Sequence, residues 1–589
     1  MISHDFDSAR TLIPLLEQTA ARAPEIVAVQ DERRTLSFAA LVSEIDALVM
    51  ALRSSIAPGD HVAVRLPRGL EYVIAAYAIW KAGGVYVPLD DNWPNARIET
   101  ILVRSNVRVL IHAGPAPAGM QVTALPRNPA VAPIATDMAD MTAYLIHTSG
   151  TTGVPKAVQV GHASLLNLVA NHQRYLYRPH GVTSGAVALN ASFCFDSALE
   201  RMALVALGYT VHVVADPVRK SPHALVQYLR DHQILNVDLV PSHLRVLMHT
   251  GLATAATALK LVIVGGEPID APLWQELAAS RIAFFNVYGP TENTINTTFC
   301  RIQGTVPHIG RSFDGVDCDI VDADGRRCAT GIAGELWISG RHLALGYYNA
   351  PDATAKAFVE RDGVRYYRTG DIARIDDSGD LQFIGRLDDQ VKINGHRFEL
   401  ADVQHHLACL ARVREAAVTL IRRPDSVRLL ATVVLEAGPQ APTFTELAAQ
   451  LSARVPGYMV PENWQALDAL PLTDNLKLDH KALLHAWERT QQIAGDIDGA
   501  SDTWRASERE IRSVWQRVLA RNEFALDDHF FASGGDSIAA MNLLVELGVL
   551  TSGEVELNVV FKHPTVRKMA AWLDTQRTHA ATTVSGAHS

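Results

Sequence analysis

The sequence predicts a large α/β core with an antiparallel β subdomain, a small α+β subdomain and then a four-helix bundle. Three observations carry this. Up to about residue 350, short apolar runs alternate with amphipathic segments, as strands and helices do in a layered α/β domain. From about 310 to 385 the texture turns to short runs broken by Gly/Asp turns, which read as antiparallel strands. From 504 onward the periodicity is helical throughout.

The elements follow in order. HVAVRL (61–66) reads as a strand, Gly69 to Trp80 has helical spacing, and VYVPL (85–89) is the next strand. The pattern returns with Gly185–Leu189 and the helix after it, TVHVVA (210–215) and LVIVGG (261–266). GELWISG and ARIDDSGDLQFIGR supply the antiparallel strands, so the core spans 1–387. The small subdomain, 388–485, contains VKINGHRFEL, a helix from Asp402, and the strands VREAAVTLI and RLLATVVLE. Residues 486–503 are expected to be a linker, since TQQIAGDIDGASDT is polar and rich in small residues. The bundle occupies 504–577, and 578–589 is expected to be a disordered tail.

Composition bounds the function. With 53 Lys and Arg against 63 Asp and Glu, the 589-residue chain has a net charge of −10, which argues against a nucleic-acid partner. The 48% hydrophobic content excludes global disorder. Five cysteines without a CxxC pair read as reduced thiols and give no zinc site. MISHDFDSAR is not a signal peptide, and no run approaches the roughly 18 apolar residues of a membrane helix, so the expected compartment is the cytoplasm and no membrane is involved.

The strongest chemical signal is HTSGTTGVPK (147–156). Gly150 and Gly153 let the backbone wrap a polyphosphate, Thr148, Ser149, Thr151 and Thr152 donate to its oxygens, and Lys156 adds charge. This string resembles the phosphate loop of the adenylate-forming superfamily. WKAGGVYVPLD, NVYGPTENT, GELWISG, YRTGD, GRLDDQVKINGHRFEL, GYMVP and LPLTDNLKLDHKAL follow in order, so residues 10–484 resemble the adenylation domain of a nonribosomal peptide synthetase. His147, Ala157 and Leu476 stand where that family usually has Tyr, Gly and Gly.

The resemblance implies roles. Asp371 accepts the ribose hydroxyls, Tyr288 stacks on adenine, and Asn286 bonds its exocyclic amine. Gly266, Glu267, Thr291 and Arg386 complete the ATP set, and Glu292 supplies a hard oxygen to Mg²⁺. Lys477 bridges the substrate carboxylate and the α-phosphate, where a cation stabilises developing charge. Asp388 is the hinge about which the small subdomain turns after adenylation, bringing in Lys392 and Gly395.

HFFASGGDSIAAM (529–541) resembles the attachment site of a peptidyl carrier domain, with Ser537 holding 4′-phosphopantetheine. Asp536-Ser537 alone would read as a helix cap. The flanking Phe530-Phe531, FKHPT at 561–565 and the place after a linker favour attachment. The implied partners are a phosphopantetheinyl transferase and a condensation domain or tailoring enzyme supplied in trans. An MbtH-like protein is a further partner that the sequence leaves open.

FCFDSALERM (193–202) points to an amino acid rather than a fatty or aryl acid, because Asp196 resembles the carboxylate that meets an α-ammonium. The pocket carried over is Asp196, Ser197, Glu200, Asp238, Ile263, Gly265, Val287, Ile295 and Asn296, with Gly265 leaving room for length. Glu200 and Asp238 then remain without partners, and two bare carboxylates in an apolar cleft are costly. A basic amino acid is therefore expected, lysine first, with ornithine, β-lysine or arginine behind it. An acyl-CoA ligase-like enzyme is the alternative from another class, although it leaves 504–575 unexplained.

Overall fold

The computed structural model describes every residue except 1–5, 7–8, 115–119, 125–141, 149–154, 256–257, 388–389, 394, 424–425, 437–441, 472–477, 498–503, 520–523, 529, 531–532, 534–536, 552–554, 556–557 and 586–589. Two large sheets form the core. In the first, Ala283–Tyr288, Leu261–Gly265, Asn236–Leu239, Gly185–Leu189, Tyr209–Val213 and Val27–Gln30 are parallel neighbours in that order. Antiparallel strands finish both edges, Thr298–Arg301 and then Arg311–Ser312 on one side and Thr35–Ser37 on the other. In the second, Thr142–Thr148, Val85–Leu89, His61–Arg65 and Val107–Ala113 run parallel. Runs such as LVIVG and VYVPL are apolar without alternation because both faces of these strands are covered.

One apolar cluster joins the two sheets. The helix Glu71–Lys81 lies within it, buried from Glu71 to Trp80, as an all-round apolar helix must be. So does Asp196–Ala206, buried from Ala198 onward, which takes Glu200 and Arg201 into the interior. A third, antiparallel sheet is built from Val316–Val321, Gly334–Gly340, Val364–Ile375, Phe358–Arg361 and Leu381–Arg386.

The small subdomain opens with a hairpin, Gln390–Ile393 and His396–Glu399. The helix expected from Asp402 begins at Leu400 and runs to Ala408. It packs on a sheet of Val413–Arg423, Ser426–Leu435 and Asn463–Ala466. The bundle consists of Ala506–Leu519, Ser537–Thr551, Asn558–Lys562 and Val566–Ser585 around a core centred on Trp515.

Two expectations change. The helix His480–Ile497 runs through most of the expected linker, and Val566–Ser585 runs through most of the expected tail. Ala, Leu, Glu, Arg and Gln dominate 482–492, and no proline interrupts either stretch, so propagation wins over the polar, small-residue texture. Among the described residues no helix is long and apolar enough to cross a membrane.

Candidate functional site

The parallel strands of the first sheet deliver Leu239, Gly265 and Tyr288 to one edge, the C-terminal ends where α/β sheets gather ligands. Gly266 turns the chain there with φ 88°, a conformation that favours glycine. A Cβ on Gly265 would lie 2.8 Å from Val287 Cγ2 and 2.9 Å from the Val287 carbonyl oxygen. The glycine is thus required by its neighbouring strand, and not only by the room expected for a long substrate.

After Tyr288 the chain makes a tight loop. Thr294 and Ile295 both have positive φ, 48° and 68°, which is strained for β-branched residues. Thr294 Oγ1 donates to the His342 carbonyl at 2.5 Å, and the Asn296 amide to the Thr294 carbonyl at 2.8 Å, holding the turn. Ile295 and Asn296 are thereby held buried, as are Ile263 and Val287.

The expected nucleotide residues converge. Asp371 and Arg386 are direct cross-strand partners and form an ion pair. Tyr288 donates its hydroxyl to the other Asp371 oxygen. Asn286 donates its amide to the His308 carbonyl at 2.8 Å, which turns its side-chain oxygen to the acceptor role an exocyclic amine needs. Thr148 and Lys156 face each other at the ends of two antiparallel strands. Their connecting loop, with Ser149, Gly150, Thr151 and Thr152, lies outside the described residues, as do Asp388 and Lys477.

The small-subdomain hairpin covers this site. Gly395 donates its amide to Glu267 Oε1 at 2.8 Å, while Glu267 Oε2 accepts from the Ser242 amide at 2.9 Å. Arg397 Nη1 donates to Glu292 Oε2 at 2.5 Å, and Tyr347 donates to Glu292 Oε1 at 2.8 Å. Burial raises the Glu292 carboxyl, but the Arg397 charge and these hydrogen bonds outweigh it and hold it below its usual range. Lys156 Nζ lies 3.3 Å from Glu399 Oε1. Lys392 feels Asp371 and Asp196, though burial and Arg397 push its ammonium down.

Asp196 starts its helix, where a carboxylate is favoured by the helix dipole, and Thr291 hydrogen-bonds to it. Burial nevertheless raises its carboxyl, so an arriving ammonium would be welcome. Ser197 follows it, half-buried, on the first turn.

The two carboxylates expected to lack partners have them. Glu200 accepts from the Tyr177 hydroxyl and pairs with His172 Nδ1 at 2.9 Å. Burial would raise its carboxyl, but the charges of His172 and Arg201 and the two hydrogen bonds hold it down. Asp238 forms an ion pair with Arg201, whose Nε lies 2.5 Å from Asp238 Oδ2, and Arg201 also donates to Asn236. The premise that these groups await a cationic substrate is therefore corrected. Arg201 adjoins Glu200 in FCFDSALERM and could have signalled this, whereas His172 and Tyr177 carry no local signal. His172 Nε2 lies 3.4 Å from Asn296 Nδ2, which links the pair to the loop after Tyr288.

Among the described residues no group of three or more His, Cys, Asp or Glu is placed to hold a metal. A single buried carboxylate, Glu292, suits magnesium, which takes one or two carboxylates plus substrate phosphates. It fits once Arg397 withdraws from Oε2.

A cleft of about 1190 Å³ joins Asn286, Tyr288, Asp371, Arg386 and Lys392 to Ala539 and Asn542 of the bundle. Ser537 begins the helix on that side.

Comparison with known proteins adds relatives. Residues 16–348 match the AMP-binding enzyme family, and 509–573 match the phosphopantetheine attachment site. The chain is 56% identical over 567 residues to the dapdiamide synthesis protein DdaD of Enterobacter agglomerans, covering 96% of this chain and 97% of that one. It is 34% identical to syringomycin synthase SyrB1 of Pseudomonas syringae pv. syringae, covering 90% of each. Against bacitracin synthase 1 of Bacillus licheniformis it is 30% identical and spans 11% of that protein's length. The solved structure of holo-PA1221, a nonribosomal peptide synthetase protein with adenylation and carrier domains bound to a vinylsulfonamide inhibitor, superposes with a TM-score of 0.79. That match has 25% identity and covers 97% of this chain and 98% of that one.

Proposed function

Because the chain belongs to the AMP-binding enzyme family and carries a phosphopantetheine attachment domain, we propose a residue-level account of how it loads its own carrier and with what. Its class is that of an amino-acid-adenylating ligase of nonribosomal peptide synthesis. A carboxylate oxygen bonds to the α-phosphorus of ATP and pyrophosphate leaves; a thiol then takes the acyl group and AMP leaves. Such a carrier implies a phosphopantetheinyl transferase and downstream synthetase partners. The kinship to a dapdiamide synthesis protein supports a dapdiamide-like peptide antibiotic as the product.

In this account Asp371 and Arg386 hold the ribose, Tyr288 and Asn286 the adenine, and Lys156 with Thr148 the polyphosphate. Glu292 would hold Mg²⁺, which when bound neutralises phosphate charge. Asp196 meets the α-ammonium, and Lys477 the carboxylate. Phosphopantetheine on Ser537, when attached, supplies the thiol. Catalysis is positioning and charge stabilisation, with no side-chain nucleophile. The observation that carries the account is the convergence of Asp371, Arg386, Tyr288 and Lys392 on one cleft that reaches the helix beginning at Ser537.

The substrate is read as an α-amino acid with an uncharged side chain. The basic side chain expected above needed bare carboxylates, and within the chain Tyr177 and His172 hydrogen-bond to Glu200 while Arg201 pairs with Asp238. A cationic group would then have to displace these buried partners before it met a carboxylate, which is costly. Pyrophosphate exchange over the twenty amino acids plus ornithine and β-lysine tests this. Exchange is expected with an uncharged amino acid and not with the basic ones. Strong exchange confined to lysine or ornithine would overturn it.

A further inference from the structure

Glu292 is an almost wholly buried carboxylate, its side chain only 2% exposed, and a buried carboxylate is tolerated only with a counter-charge. In this structure the counter-charge is Arg397, from the small subdomain. When ATP is bound in the proposed way, Mg²⁺ provides it instead. Lys156 presents the mirror case. Polyphosphate oxygens would neutralise it in one state, and Glu399 lies 3.3 Å away in this one.

Local geometry explains why one hairpin serves both groups. Arg397 and Glu399 are two apart on a strand, so they share a face. Lys392 is directly opposite Arg397, and like charges in that position are unfavourable on their own. Glu292, Asp196 and Asp371 surround these cations when the hairpin is seated, which offsets part of the penalty. The Gly395 amide on Glu267 pins the turn.

We propose that Arg397 and Glu399 are positioning residues for the thioester step. Arg397 takes Glu292 in place of the metal, Glu399 takes Lys156 in place of the polyphosphate, and the seated hairpin and bound Mg·pyrophosphate exclude each other. This rests on the proposed roles of Glu292 and Lys156 as metal and phosphate ligands. Seating is then coupled to product release through the exchange of these two ion pairs.

The test uses the full-length holo protein with one label at Met50→Cys on the core and one at the exposed Cys409 of the small subdomain. Mg·pyrophosphate is expected to change the label distance, whereas Mg²⁺ or pyrophosphate alone changes it little. In Arg397→Gln and Glu399→Gln the change should come at about tenfold lower Mg·pyrophosphate. Single-turnover loading of Ser537 should slow about tenfold while pyrophosphate exchange shifts less than about threefold, and Arg397→Lys should recover part of the loss. A label distance indifferent to Mg·pyrophosphate, or equal losses in both half-reactions, would overturn the proposal. Lys156→Ala and Glu292→Gln separate it from its premise. If they keep exchange, the ligand roles fall; if they lose exchange while the label distance ignores Mg·pyrophosphate, only the replacement falls.

Discussion

Asp402 shows what a single side chain can reveal about docking. It is a buried carboxylate on the helix Leu400–Ala408, and burial pushes its carboxyl up to about 6, against partial relief from Arg97 of the core and from His405; Glu399 adds to the rise. His406 Nε2 lies 3.5 Å away. A carboxyl raised in the folded state lowers stability as pH climbs from its unfolded value of 3.8 through about 6. Asp402→Asn should therefore stabilise the protein at pH 7.5 by about 2 kcal/mol, with the gain fading toward pH 4, as urea unfolding at several pH values will show. Glu200 has the opposite sign. Its carboxyl is held down, so its contribution is present at neutral pH and is lost only in strong acid. Glu200→Gln would leave His172 without its partner and should cost about 2–4 kcal/mol of stability, read by denaturant unfolding, rather than selectively weakening a basic substrate. At this scale Asp371, Tyr288 and Arg386 were legible because fixed strings carry them. The partners of Glu200 were not, since Tyr177 lies 23 residues away and nothing local announces the contact.

The elements divide the same way. Alternating apolar runs and helical periods revealed the parallel strands, because strands covered on both faces carry their signature in consecutive residues. The hairpin 390–399 was readable as strands, but its facing of Glu292 and Lys156 was not, since those contacts cross about a hundred residues or more. The linker and tail were misjudged from their small polar residues, which extend existing helices once nucleated. Among the strands, Leu261–Gly265 is the most tightly constrained at its end. Gly265→Ala would press on the Val287 backbone and should cost about 1–3 kcal/mol, displacing a pocket wall at the same time. Denaturant unfolding together with the KM for the amino acid in pyrophosphate exchange will register both effects.

The whole molecule separates activation from loading. The bundle has its own core, in which Trp515 is fully buried and packs edge-on against Phe524 and Phe530 at 5.4 and 5.1 Å. Trp515→Ala should cost about 3–5 kcal/mol, enough to unfold so small a bundle. Mass gain on Ser537 with a phosphopantetheinyl transferase should disappear, while pyrophosphate exchange persists. The helix His480–Ile497 bears on how the two parts communicate. Its 18 residues form a rod of about 27 Å, so only 498–503 separates a stiff spacer from the bundle. Six residues span at most about 21 Å, so the acceptor thiol explores a small volume around the activated acyl group. Its local concentration is then of millimolar order, and an attached arm outcompetes thiols free in solution without any added affinity.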